Sequence, residues 1–257
     1  MYTNILRGAD PELFLRDQEG RHVTSIGLIG GSKKKPRQLG HGFALQEDNV
    51  AVEFNIPPCS NKEQFVSSLN FVLDHLRQEL GSKGLSLDIS ATAEFTEEQL
   101  KHPQAQELGC EPDYNAWTLD TNPRPEAPPS LRSSGGHLHL GWDNPQPIER
   151  IRVIKAHDLF VGIPALIYDE DTRRREIYGK AGAFRPKDYG VEYRTLSNFW
   201  IGSEELMEFV YTQSEKAMNF LIGGGRISSE DGDKIQSCIN NGDKNLLAEL
   251  NEKYGIV

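Results

Sequence analysis

Cysteine is scarce in this chain. Cys59, Cys110 and Cys238 are the only three in 257 residues; they lie far apart and form no C-x-x-C pair. This argues against a disulfide framework or a thiolate zinc site and favours a reducing compartment. Positive charge is also short: 28 Lys and Arg stand against 38 Asp and Glu, giving a net charge of −10 and a pI near 5.2. General nucleic-acid binding needs a basic footprint, which this balance does not provide. No apolar run is long enough to span a bilayer, and Met1-Tyr2-Thr3-Asn4 lacks the basic-then-apolar pattern of a signal peptide. No repeat or low-complexity linker divides the sequence, so the expectation is one cytoplasmic domain over residues 1–257 without membrane contact. A Walker loop is missing as well. In Gly30-Gly31-Ser32-Lys33-Lys34-Lys35, Ser32 stands where a glycine belongs and no Lys-Ser or Lys-Thr pair follows, so a P-loop is rejected.

The most informative stretch is Gly135-Gly136-His137-Leu138-His139-Leu140-Gly141. As a strand it turns His137 and His139 to one face and Leu138 and Leu140 to the other. Glycines at both ends allow a turn or a close approach to a ligand. The two imidazoles are either metal ligands or structural histidines satisfied within the fold.

Other stretches share this two-faced character. Gly8 to Leu15 reads as a strand with Asp10 and Glu12 on one face; Pro11, lacking an N–H, predicts an edge or a bulge. Val50 to Ile56 puts Val50, Val52, Phe54 and Ile56 on one face and Glu53 and Asn55 on the other. Gly190 to Leu196 pairs Glu192 with Arg194. Residues 16–21 read as a hairpin turn, and residues 85–93 alternate as one further strand.

Ser60-Asn61-Lys62-Glu63 predicts a capping box and a helix with Phe65, Leu69, Val72, Leu76 and Leu80 as its buried stripe. Residues 147–168 are helical in pattern with a break near Gly162-Ile163-Pro164. Ser203 caps a helix to about 222, and another is expected over 230–253. Residues 97–134 are Pro-rich and irregular, which predicts a lid or substrate loop; it includes Cys110-Glu111-Pro112 and ends at Arg132. Arg173-Arg174-Arg175, followed by Tyr178, Lys180 and Arg185, is locally basic: a solvated face or an anion clamp.

If these polar faces line one concave sheet, they enclose a carboxylate-rich cavity with arginines beside it. Such a donor set suits hard cations, Mg²⁺ or Mn²⁺, and the arginines suit phosphate oxygens. That combination points to nucleotide chemistry without a P-loop.

The motifs in this order, Gly8-Ala9-Asp10-Pro11-Glu12-Leu13, Glu53-Phe54-Asn55-Ile56-Pro57-Pro58, the His-x-His strand, Tyr178 to Arg185 and Glu192-Tyr193-Arg194, resemble the phage-type carboxylate–amine ligases of the glutamine synthetase and glutamate–cysteine ligase superfamily. The resemblance implies an α+β fold, a curved antiparallel half-barrel sheet with helices on its convex side. It implies ATP, Mg²⁺ (or Mn²⁺), an acyl-phosphate intermediate, and small-molecule, peptide or protein carboxylate and amine substrates. It puts metal ligands at Asp10, Glu12, Glu53, His137 and Glu192, and nucleotide contacts at His139, Lys180, Arg185 and Arg194. Glu192, Arg185 and Arg194 would carry the reaction, with Arg132, Arg174, Arg175 and Tyr178 for substrate. Asp10 departs from the more usual Glu, and its shorter arm bears on one metal site. Two other readings stay open: a metal-dependent hydrolase using His-x-His, and a non-catalytic binding protein whose acidic face is simply wet.

Overall fold

In a computed structural model, residues 2–106, 113–123 and 127–257 are described. The strands are β1 (Leu6–Arg16), β2 (His22–Val23), β3 (Arg37–Gly40), β4 (Phe43–Asp48), β5 (Ala51–Asn55), β6 (Ser86–Asp88), β7 (Thr92–Glu94), β8 (Tyr114–Asn115), β9 (Leu131–Ser133), β10 (Gly136–Gly141), β11 (Ala183–Lys187) and β12 (Gly190–Tyr193). The helices are α1 (Lys62–Gly81), α2 (Glu97–Leu100), α3 (Pro103–Gln106), α4 (Pro147–His157), α5 (Ile163–Ala165), α6 (Thr172–Ile177), α7 (Glu204–Ile222), α8 (Ser229–Asn241) and α9 (Lys244–Tyr254).

Ten strands form one open antiparallel sheet. Its main order is β3-β4-β5-β1-β10-β12-β11-β8, with β2 and β6 both pairing the far end of β1. Residues at alternate positions follow the pleat. Leu13, Leu15, Val52, Phe54, Leu138, Leu140, Val191 and Tyr193 are buried in one core with residues of α1, α4 and α7. Removing that apolar surface from water is the main force closing helices onto the sheet. The opposite face keeps the charged residues. A mixed α and β fold with a large antiparallel sheet is therefore what the sequence led us to expect.

Several local expectations are corrected. Pro11 lies in a central strand, between β5 and β10, not at an edge. Its missing donor falls on the β5 side, where registered pairing is confined to Glu12–Glu53 and Leu13–Val52 and resumes with the bond from Ile56 N to Ala9 O. The cap of α1 is Asn61, which accepts from Gln64 N, while the Gln64 side chain accepts from Ser60. Residues 85–93 are not one strand: β6 joins β1, and β7 leaves the main sheet to pair with β9. The segment 97–134 is more ordered than a loop, holding α2, α3, β8 and β9, while Cys110-Glu111-Pro112 lies outside the described residues.

The helix expected over 230–253 is two, α8 and α9, because Gly242 adopts a left-handed φ of 67° between them. The break near Gly162 is a π-helical turn, Asp158–Gly162, wholly buried. Gly162 has a packing reason: a Cβ there would lie 2.6 Å from the Tyr193 hydroxyl. Among the described residues, no helix is long and apolar enough to cross a membrane.

Candidate active site

The sheet register assembles the site. Asp10 stands opposite His137, and Glu12 opposite Glu53. His139 stands opposite Glu192, which in turn faces Arg185. Directly opposed residues of antiparallel strands share a face, so one face collects the acids, imidazoles and cations from β1, β4, β5, β10, β11 and β12.

One half of this face is acidic. Carboxylate oxygens of Glu12, Asp48 and Glu53 lie within 4.8 Å of one another. Burial, then the Asp48 charge, pushes Glu12 up to about 7. Burial followed by Asp10, Glu12 and Asp48 pushes Glu53 well above the usual carboxylate range. Few donors offset this: Gly135 N donates to Glu12 at 2.7 Å, and Gln46 Nε2 to Glu53 at 2.7 Å.

The middle holds the imidazoles. Ligand atoms, one each from Asp10, His139 and Glu192, also lie within 4.8 Å of one another, and Asp10 Oδ1 is 2.9 Å from His139 Nε2. His137 Nδ1 is 3.4 Å from Asp10 and 3.7 Å from Glu192. Burial opposes charge on Asp10, but His139 and His137 outweigh it and hold its carboxyl below the ordinary range. Burial, then Arg194, lowers His137 to about 3.

The other half is basic and converges on Glu192, which is 1% exposed. Lys187 Nζ is 2.7 Å from one carboxylate oxygen. Arg185 is 3.6 Å from the other, which also accepts a short hydrogen bond from Arg194. Arg194 donates a second short bond to the Tyr178 hydroxyl and lies 3.9 Å from Asp113.

The structure does not bring every candidate here. Arg132 donates to Asn49 Oδ1 and to the carbonyls of Ala105, Pro129 and Leu131, so it ties loops together. Arg174 is buried and donates to the carbonyls of Ser134 and Thr195, both at 2.8 Å. It braces the chain just after β12 and lies 5.2 Å from the Tyr178 ring. Arg175 is spent on Asp169, and the Lys180 side chain is exposed. Nor do the strand's glycines hold space for a ligand on both sides: a Cβ at Gly136 would meet Ser197 O at 2.2 Å.

Sequence reasoning missed Asp48, Lys187, Tyr189 and Asp113. Lys187 had a usable signal, its i, i+2 spacing from Arg185, which puts both on one face of a strand. Asp48 had one too, two residues beyond Gln46, in a strand with too little apolar alternation to be read.

A divalent cation fits this donor set. Asp10 Oδ1 and His139 Nε2 are buried and lie 2.9 Å apart, yet they are not aligned to hydrogen-bond each other, and neither has another hydrogen-bond partner among the described residues. Buried polar atoms without a hydrogen-bond partner, among them His137 Nε2 as well, beside crowded carboxylates are what a hard cation satisfies.

Residues 127–217 match the family described as phage phiEco32-like COOH.NH2 ligase, type 2. The match spans β9 to most of α7 and so contains His137, His139, Arg185, Lys187, Glu192 and Arg194. It bears out the resemblance over the His-x-His strand, Tyr178 to Arg185 and Glu192-Tyr193-Arg194; the Gly8 to Leu13 and Glu53 to Pro58 motifs lie outside the matched residues. A bifunctional glutathione synthetase from Pasteurella multocida is similar in fold, at 12% identity and a TM-score of 0.55. The alignment covers 98% of this chain and 45% of that one, so this chain spans less than half the length of that enzyme. Apo GmaS aligns at 10% identity and a TM-score of 0.45, covering 98% and 68%. No curated protein matches the chain.

Proposed function

We propose that this chain, which over residues 127–217 matches the phage phiEco32-like COOH.NH2 ligase family, is an ATP-dependent carboxylate–amine ligase. The carrying observation is the division of one sheet face into a carboxylate half and a basic half that meet at Glu192. Phosphoryl transfer to a carboxylate needs both: acids to hold cations that bind ATP, and fixed positive charge where the transferred group develops charge.

Mg²⁺ or Mn²⁺ would be held by Glu12, Asp48 and Glu53 in one group, and by Asp10, Glu192 and an imidazole in the other. When bound, it neutralises phosphate oxygens. Arg185, Lys187 and Arg194 would supply the positive charge for the γ-phosphate oxygens. The substrate carboxylate oxygen attacks the γ-phosphorus as the bond to ADP breaks, giving an acyl phosphate. The amine nitrogen then attacks the acyl carbon, phosphate leaves, the nitrogen loses a proton, and an amide forms. Tyr178 holds Arg194 in place through its hydroxyl. Asp113, 3.9 Å from Arg194, would help to keep water from the acyl phosphate. The substrates are a carboxylate and an amine on small molecules, peptides or proteins.

The test is ADP release with Mg²⁺ across a panel of carboxylates and amines. Release should require both partners and fall about 100-fold or more in Glu192→Gln. Failure to bind any nucleotide in the presence of Mg²⁺ would overturn the reading.

A further inference from the structure

One face of α4 plays no part in the candidate active site. Ile148, Ile151, Arg152 and Lys155 follow at i, i+3, i+4 and i+7, a single stripe along the helix. The stripe forms one wall of a cavity of about 360 Å³. The other wall comes from the end of α7 and the turn after it, with Phe220, Leu221, Arg226 and Ile227. That size falls within the roughly 300–1,000 Å³ of small-molecule sites. Ile151 and Leu221 pack against the core that α4 and α7 share with the sheet. The cavity therefore lies on the helical side, behind the face that carries the acids and imidazoles.

Its charge runs against that of the chain. The sequence holds 38 acids and 28 Lys and Arg, yet Arg152, Lys155 and Arg226 line the cavity and, among the described residues, no Asp or Glu does. Solvated surface cations need no partner, but these flank apolar surface instead of other charge. Neither arginine has a hydrogen bond or ion pair among the described residues. Lys155 is half-buried, with its ammonium nitrogen 4.7 Å from the Trp117 ring. Burial lowers its pKa, and Asp158 offsets this only in part. The one acid of α4, Glu149, is occupied at the helix start, accepting from Gln146 N at 3.0 Å and from Trp142 Nε1 at 3.3 Å. Its charge reaches Arg152 without an ion pair.

We propose that this cavity binds a small amphiphilic anion, with Arg152, Lys155 and Arg226 around its carboxylate or phosphate head and Ile148, Phe220 and Ile227 along its apolar body. Charge complementarity selects the head: cations left without acids are worth most to a ligand that brings its own negative charge. The apolar walls select the rest, since each methylene taken out of water adds to affinity. Tyr2 also lines the cavity, and its hydroxyl makes no hydrogen bond among the described residues. Burial, then Glu149, pushes that hydroxyl up to about 12, so at neutral pH it remains a donor. The ligand would sit across the sheet from the reacting groups, so its binding is independent of the ligase reading.

The test is calorimetric titration of the full chain, without nucleotide or metal, using sodium octanoate and octyl phosphate against octanol and acetate. The octyl anions should bind, octanol and acetate should be at least about tenfold weaker, and added salt should weaken the anions. The tighter of the two anions identifies the head group. Arg152→Gln and Arg226→Gln should each weaken the anions by about fivefold. Arg77→Gln, which removes an exposed cation on α1, should leave them unchanged, as should Lys187→Gln on the opposite face of the sheet. Arg152 and Arg226 are exposed, so the unfolding midpoints of their variants should match the wild type.

No binding of either octyl anion overturns the inference. So does octanol or acetate binding as tightly as octanoate, because one half of the cavity would then play no part. Affinity lost in Lys187→Gln and kept in Arg152→Gln places the anion on the opposite face and overturns it too. Equal losses in Arg152→Gln and Arg77→Gln reduce the effect to net charge, with the same consequence. None of these results bears on the ligase reading, which stands or falls on nucleotide binding.

Discussion

Oδ1 of Asp158 accepts the hydroxyl proton of Tyr193 at 2.9 Å. Tyr193 stands between Glu192 and Arg194, so this buried bond holds the strand that carries them. The same carboxylate accepts from Thr195 Oγ1 at 3.2 Å and from Trp117 Nε1 at 2.7 Å. Asp158→Ala leaves three donors without that acceptor and should cost about 3 kcal/mol. Trp117→Phe removes one donor and should cost about 1 kcal/mol. Urea unfolding at constant m-value checks the order.

Asp158 and its neighbour His157 respond to pH in opposite senses. His157 is buried, with Nδ1–H donating to Val153 O and Nε2 accepting from Ser214. Burial lowers its pKa to about 3. The unfolded chain therefore binds this proton first, and stability is lost as pH falls from about 6.5 toward 3. Burial raises Asp158 to about 7, so its contribution is lost as pH rises from about 3.9 through 7. In unfolding curves from pH 4 to 7, His157→Phe should remove an upward slope of at most about 1.4 kcal/mol per pH unit, and Asp158→Asn a downward one. Unchanged slopes would show that these two groups do not govern the pH response.

Gly136 is required by packing. A Cβ there would lie 2.2 Å from Ser197 O and 2.4 Å from Trp200 Nε1, which donates to Gly136 O. Gly136→Ala must push the Asn198–Gly202 turn away from the histidine strand. We expect a loss of about 2 kcal/mol or more, measured as a lowered unfolding midpoint.

As a cation site, the acidic triad should make stability depend on metal. Without a cation, Glu12, Asp48 and Glu53 repel one another. Glu53→Gln should then be more stable than the wild type in EDTA. Millimolar Mg²⁺ or Mn²⁺ should raise the wild-type midpoint, by about 2.7 kcal/mol at a hundredfold excess over Kd, and raise the variant's far less. Equal responses of the two proteins would count against the triad as a cation site.

Which features were legible follows from what alternation and punctuation can record. The β10 strand was clear because two histidines alternate with two leucines between glycines, and α1 was clear from the spacing of Phe65, Leu69, Val72, Leu76 and Leu80. Pro11 was misjudged because a sequence shows that a donor is missing but not which neighbouring strand it would have faced. Asp48 was missed because β4 has too few alternating apolar residues for its spacing from Gln46 to be read as a strand face. Arg132, Arg174 and Arg175 showed their charge, whereas their hydrogen bonds to distant carbonyls and to Asp169 appear only once the chain is folded. The tandem histidines fell between these cases: their shared face was legible, their different partners were not.

The place of β1 in the sheet also sets an order of assembly. Its acids pair first with β5, about forty residues along, and only later with β10, which follows by more than eighty further residues. Arg185, Lys187 and Arg194 come later still. As the chain leaves the ribosome, Glu12, Asp48 and Glu53 are therefore brought together before the cations that balance Glu192 exist. Long-range pairing of this kind is slow, and here the acidic half must wait for the basic half. A nascent chain stopped before residue 183 would hold the acids of β1, β4 and β5 without Arg185, Lys187 and Arg194.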